Sequence, residues 1–165
     1  MKRRRPPPGP SAAAQSGVPE PEPGPSRTVE RIGVAVVAWC GREGAPYYLV
    51  SRRPPGTRLA GCWEFPGGRA EEGETEAECA IRELWEETGV EARPNSLILR
   101  LDHRYPDVDL RLEFHLCGYE RGTPGPAGNA GVRWVRAGHL ECYEFPPATA
   151  PVLAILAAKH PFGQV

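Results

Sequence analysis

Glu83, Glu86 and Glu87 are three carboxylates within five consecutive residues. On a helix such intervals put all three on one side of the axis. Each like-charge pair at i,i+3 or i,i+4 then costs about 0.2–0.5 kcal/mol, and a helix C-terminus prefers cations to anions. Nine of the chain's 21 acidic residues fall between Glu71 and Glu91, with Arg82 the one basic residue among them. A solvated acidic face, where water and salt screen the repulsion, is one reading. Exposed helices of that kind usually interleave Lys or Arg, however, and this segment does not. The other reading is a site for a hard divalent cation such as Mg²⁺, which takes oxygen ligands, keeps several waters and bridges to phosphate. A cation there turns repulsion into coordination.

The flanking residues define the element that carries the carboxylates. Thr75-Glu76-Ala77-Glu78 has the form of a capping box, and Gly89 stands where a left-handed residue closes a helix. Together they predict a helix over Glu76–Thr88. Ala77, Ile81, Leu84 and Thr88 form its expected core stripe, with the three carboxylates about 140° round from it at 100° per residue.

The remaining elements read mostly as strands. Ile32–Cys40 and Tyr47–Arg52 predict a hairpin across the turn-like Gly41–Ala45. From Val108 to Leu116, apolar residues alternate strictly with Asp109, Arg111, Glu113 and His115, which predicts one buried and one wet face, with His115 facing solvent. Ser96–Leu101 is its expected partner through a turn at Pro106-Asp107, and Val132–Val135 is a further short strand. Pro151 suits a helix first turn, with Val152, Ile155 and Leu156 at helical spacing.

Composition excludes several classes. With 165 residues, 40 % of them hydrophobic and 25 % charged, the chain suits a single soluble domain. Its longest apolar run, Val34–Cys40, is too short to span a bilayer. Met1–Arg5 resembles a secretory n-region but runs into prolines, so secretion is not expected. Five cysteines without a C-x-x-C pair fit free thiols in a reducing cytoplasm. Residues 1–28 hold eight of the twenty prolines and one large aliphatic residue, and are expected to be a disordered basic tail. Its Arg3–Arg5 run reads better as a solvated tail than as a contact for nucleic acid or an acidic partner. The body, residues 29–165, has 15 basic and 19 acidic residues, which argues against duplex DNA binding. Only Lys2 and Lys159 exist, so no lysine-containing phosphate loop is possible, and no serine sits in a G-x-S-x-G turn.

From Gly68 the chain reads glycine, five residues, Glu74, seven residues, then Arg82-Glu83-Leu84-Trp85-Glu86-Glu87-Thr88-Gly89-Val90. This resembles the Nudix box, G-x5-E-x7-R-E-U-x-E-E-x-G-U with U apolar, at every specified position. The lead-in Trp63-Glu64-Phe65-Pro66-Gly67-Gly68 is similar to the MutT-like branch, and the likeness runs in register from about Ile32 to Lys159. The resemblance implies an α+β fold, an α/β/α sandwich with a mixed curled sheet. It implies Mg²⁺, or Mn²⁺, held by Glu83, Glu86, Glu87 and the Gly67 carbonyl, with Arg82 and Glu74 paired to brace the loop before the helix. Glu83 is the candidate general base. A nucleoside triphosphate would be cleaved to monophosphate and pyrophosphate by a monomeric enzyme, 8-oxo-dGTP being the leading substrate. Arg53, Glu64, Phe65, Pro66, Gly67 and Thr149 are the candidate substrate contacts. Arg53 is equally readable as a surface arginine beside Arg52, and Trp63 and Phe65 either line a base pocket or pack in the core.

Two departures bear on the base. MutT-like guanine readers carry Asn where this chain has Thr149, and one hydroxyl cannot replace a two-sided amide contact. An unpaired polar edge costs about 1–3 kcal/mol, enough to shift base preference about ten- to a hundredfold. A pyrimidine substrate such as CTP or 5-methyl-dCTP is therefore the alternative. The loop Gly125–Gly131 also lacks the further glutamate the branch often places there. A silent nucleotide-sensing domain is the remaining alternative, against which all three box carboxylates are present.

Overall fold

The apolar run beginning near Ile32 becomes the strand on which the rest of the protein is built. The structure, a computed structural model, describes residues 28–125 and 131–158. Strands β1 (Val29–Cys40), β2 (Pro46–Arg52), β3 (Trp63–Glu64) and β4 (Gly67–Arg69) precede helix α1 (Glu76–Thr88). Strands β5 (Glu91–Arg104), β6 (Asp109–Arg121) and β7 (Val132–Arg136) follow, then two 3₁₀ turns and helix α2 (Ala150–Ala158). The expected tail and nearly all of the Gly125–Gly131 loop lie outside the described residues.

One mixed, open sheet runs in the order β3-β2-β1-β6-β5, with β4 paired to β1 and β7 to β2. The hairpins predicted from sequence are present: Ala38 opposes Tyr48 across β1 and β2, and Leu101 opposes Leu112 across β5 and β6. At the centre β1 and β6 pair in parallel, Val34 opposite Phe114 and Ala35 opposite His115. Each face carries its own core. Val34, Val36, Tyr48, Phe65, Phe114, Val152 and Leu156 pack on the α2 side. Ala35, Val37, Leu49, Ala80, Leu84, Val90 and Cys117 pack on the α1 side. The expected α/β/α sandwich is thus observed.

Helix α1 begins and ends where its capping residues require. Glu78 N–H donates to the Thr75 hydroxyl at 3.2 Å, the Glu78 carboxylate accepts from the Thr75 N–H at 2.9 Å, and Gly89 closes the helix at φ 69°. Its buried face differs from the expected stripe. Cys79, Ala80, Leu84 and Thr88 are buried, whereas Ala77 and Ile81 are only half-buried. The face is rotated toward Glu83 and Glu87, which become half-buried flanks of the core rather than a patch well removed from it.

The wet face expected of β6 is also corrected. Glu113 and His115 are both 8 % exposed, because the parallel pairing with β1 places them beside Gly33 and Ala35 on the side covered by α1. The Arg100 Nε donates to Glu113 Oε1 at 2.6 Å, and His115 Nε2 lies 3.2 Å from Glu113 Oε2. Burial of a charge is tolerated where a partner satisfies it.

The close seat of α1 depends on Gly33: a Cβ there would overlap the Glu76 carbonyl and press on the Ala80 N–H. Gly33→Ala is expected to destabilise the protein by about 1–3 kcal/mol, as overpacked positions do. A urea melt giving an unchanged midpoint would contradict this packing.

Candidate active site

A cavity of about 300 Å³ opens on the α2 side of the sheet, between β1, β6 and residues 64–68. Ile32 and Val34 of β1 and Leu112 and Phe114 of β6 supply apolar side chains, while Phe65, Ala148 and Thr149 wall one end. Glu64 and the backbone of Gly67 and Gly68 form the polar end, next to the α1 carboxylates. Such a volume suits part of a small ligand, apolar on most sides with a few polar groups to orient it.

The strand pairings explain the approach of loop and helix. Val34 opposes Gly67 and Gly33 opposes Gly68, so β4 runs against β1 directly above α1. A Cβ on Gly67 would strike the Gly33 carbonyl, and one on Gly68 would strike the Glu83 carboxylate. Both glycines are there to let backbone come close. The Cys79 thiol adds a contact at 3.2 Å to the Gly68 carbonyl.

Two arginines divide the carboxylates between them. Arg82 donates from Nε and Nη2 to the two Glu74 oxygens, each at 2.9 Å, and from Nη1 to Glu83 at 2.8 Å, with Glu86 at 3.6 Å. This holds the Glu74 carboxyl well below its usual range, at about 2, by hydrogen bonds from Arg82 and from the Glu71 N–H. Arg53 on the other side donates to Glu64 and, from Nε, to the Arg58 carbonyl at 2.7 Å. Burial still raises the Glu64 carboxyl, with Arg53 opposing it.

Among the described residues no arginine forms an ion pair with Glu87, which has only a main-chain hydrogen bond at Gly67 and the more distant charge of Arg53 to favour its ionised form. One of its oxygens is buried with no hydrogen-bond partner. Burial first, then the nearby charges of Glu64 and Glu83, push its carboxyl up to about 8. Among the described residues no three carboxylate, imidazole or thiol groups converge tightly enough to cage an ion. Glu83 and Glu86 lean on Arg82 while Glu87 sits near Glu64. The donors nevertheless suit a hard divalent cation, since they are carboxylate oxygens, one of them buried and unsatisfied, and such ions complete their shell with water.

A profile of the NUDIX domain matches residues 34–154. The chain belongs to the NUDIX family. It is 38 % identical over 109 residues to an 8-oxo-dGTP diphosphatase of Escherichia coli, covering 66 % of this chain and 84 % of that protein. A CTP pyrophosphohydrolase of the same organism is 28 % identical over 124 residues, 74 % of this chain and 90 % of that one. Among solved structures, a MutT from work on Aliivibrio salmonicida and Vibrio cholerae superposes with a TM-score of 0.64 at 27 % identity. It covers 79 % of this chain and all of its own. Nudix hydrolases in general need a divalent metal.

Set against the Nudix box, the candidate residues fall into two groups. Gly67, Glu64 and Arg53 line the polar end of the cavity, and Phe65 and Thr149 its apolar part. Arg82, Glu83, Glu86 and Glu87 do not line it, Glu83 lying against Gly68, Glu87 within reach of the Glu64 charge, and Glu86 beside Arg82. Pro66 does not line it; the residue is fully buried and its carbonyl accepts from the Ala35 N–H at 2.8 Å. Trp63 also lies outside the lining, edge-on to Tyr143 with Arg133 over its ring. Sequence reasoning overlooked a contact across the cavity mouth, where Arg58 pairs with Asp107 and lies over the Tyr105 ring at 4.7 Å. No local pattern signals it, because the partners are 49 residues apart. No helix among the described residues is long and apolar enough to cross a membrane.

At pH 7 a carboxyl titrating near 8 is mostly protonated, and a cation bound to it must displace that proton. If a divalent cation binds at Glu87, adding one to weakly buffered protein at pH 7 is expected to release protons. Affinity should rise as pH climbs through 8. Proton release read with an indicator dye should vanish in Glu87→Gln.

Proposed function

We propose that this Nudix hydrolase converts a nucleoside triphosphate and water to a nucleoside monophosphate and pyrophosphate, with 8-oxo-dGTP the preferred substrate. The observation that carries the reading is the unsatisfied, buried Glu87 oxygen on a carboxylate that feels the charge of Glu64, a residue lining the polar end of a largely apolar cavity. A base suits the apolar part, and a polyphosphate that brings its own cations suits the carboxylate end. The curated 8-oxo-dGTP diphosphatase relative supports the choice of base.

Glu83, Glu86, Glu87 and the Gly67 carbonyl are the ligands we assign to Mg²⁺, with Mn²⁺ as a substitute. The bound ion would neutralise the polyphosphate and acidify a coordinated water. Glu83, held in orientation by Arg82, is our candidate to accept the proton of the attacking water. Arg82 itself acts by fixing Glu83 against the loop that Glu74 braces. Arg53 keeps Glu64 in place and presents its guanidinium to the cavity, where it suits phosphate or a base edge. Phe65 supplies an apolar wall, and the buried Thr149 supplies one hydroxyl near the base. We further propose a cytoplasmic monomer with residues 29–165 as one domain behind a basic tail; the free thiols fit that compartment.

Thr149 itself favours a second reading, in which a pyrimidine such as CTP or 5-methyl-dCTP is the substrate. Its position in the cavity wall makes the missing amide a matter of recognition rather than of distant packing.

A panel of 8-oxo-dGTP, dGTP, CTP and 5-methyl-dCTP with Mg²⁺, resolved by ion exchange, tests the reading. A kcat/KM for 8-oxo-dGTP no better than for dGTP would sink the substrate assignment, and a dominant CTP rate would establish the second reading. Glu87→Gln is expected to lose activity on the order of 100-fold or more. Thr149→Asn should raise the preference for 8-oxo-dGTP over CTP by about tenfold.

A further inference from the structure

Arg31 lies on β1 two residues before Gly33, on the strand face that α1 covers, at the point where the helix begins. Its Nε donates to Glu76 Oε1 at 2.7 Å and its Nη2 to Glu76 Oε2 at 2.8 Å, a two-pronged grip on the first residue of α1. The same Nη2 also donates to the main-chain carbonyl of Glu74 at 2.9 Å. One guanidinium therefore ties a sheet strand to both the helix start and the loop before it.

That loop matters because of what Glu74 does next. Its carboxylate accepts both prongs of Arg82, whose other nitrogen reaches Glu83. Arg82 Nη2 also donates to the Arg69 carbonyl on β4 at 3.2 Å. The Arg31 guanidinium thus holds the Glu74 main chain, and the Glu74 carboxylate in turn holds Arg82, which reaches Glu83 on α1. Without the Arg31 guanidinium, the Glu74 main chain loses its direct tie to β1, and the loop that braces Arg82 and Glu83 is left with its backbone bonds and the Arg82 links to Glu74 and the Arg69 carbonyl.

We infer that Arg31 is a positioning residue for the divalent-cation site, acting through the Glu74 main chain and Arg82 rather than by touching metal or substrate. Solvent-exposed ion pairs contribute little to stability; here the Arg31 side chain is 43 % exposed and its partner Glu76 14 %, so a modest share of stability is expected from the pair. Groups that orient metal ligands, in contrast, typically change metal affinity ten- to a hundredfold when removed. A small effect on melting with a large one on the cation is the signature to look for. The inference rests on reading Glu83, Glu86 and Glu87 as the cation ligands.

The test is Mn²⁺ binding by the full chain, read by electron paramagnetic resonance without nucleotide, for the parent, Arg31→Met, Arg31→Lys and Arg121→Met. Arg121 pairs with Glu91 at 2.7 Å across β5 and β6 and serves as a control ion pair that shares no partner with Arg31, Glu74 or Arg82. Arg31→Met is expected to raise the Mn²⁺ Kd about tenfold. Arg31→Lys should recover only part of this, since an ammonium cannot span two oxygens and a carbonyl as a fork does. Arg121→Met should leave the Kd within twofold. With Glu74→Gln already present, Arg31→Met should add little, because both act through Glu74. An Arg31→Met Kd within fivefold of the parent, or an equal loss in Arg121→Met, overturns the inference. A parent that binds Mn²⁺ but cleaves no nucleotide defeats the proposed function and leaves this comparison intact; a parent that binds no Mn²⁺ defeats both.

Discussion

Like charges held close in a partly dry place demand a counter-charge, and the polar end of this cavity is arranged around that demand. Glu64, Glu83 and Glu87 interact through space, yet only Arg53 and Arg82 stand against them, each already shared. Arg82 gives most of its hydrogen-bonding capacity to Glu74, and Arg53 donates one nitrogen to the Arg58 carbonyl. Burial and the neighbouring charges of Glu64 and Glu83 push the Glu87 carboxyl up to about 8, where a proton competes for it at neutral pH. A proton is a poor permanent solution at neutral pH, because a dication offers more charge to the same oxygens.

The sandwich delivers that arrangement by allowing backbones to touch. β4 lies against β1, α1 lies under Gly33, and glycine at 67 and 68 removes the side chains that would hold loop and helix apart. The apolar wall beside them comes from the opposite face of the same strands, with Val34 and Phe114 paired across β1 and β6. A single register shift in β1 would therefore exchange the residues facing the cavity for those facing the helix.

What could be read from the chain was what depends on neighbours in sequence. Helix α1 was legible to the residue because Thr75, Glu78 and Gly89 act within a few positions of their partners. The Arg82–Glu74 pair followed from the family resemblance. The buried state of Glu113 and His115 was not legible: a period of two reveals that a strand has two faces but not that a helix covers the second. Arg31 and Glu76 are 45 residues apart, and the Arg58–Asp107 contact is comparably remote. The buried face of α1 was only partly legible, since small residues such as Cys79 and Ala80 are buried by proximity to Gly33 and give no apolar periodicity of their own.

The parallel union of β1 with β6 has a consequence for synthesis. Val29 must wait for Asp109, so the middle of the sheet cannot close until most of the chain has left the ribosome. During that interval the run Val34–Cys40 is an apolar strand lacking its long-range neighbour, the kind of segment that pairs with other nascent chains. Until β6 arrives, one edge of β1 stays open, an exposure that neither the cation nor the nucleotide can relieve.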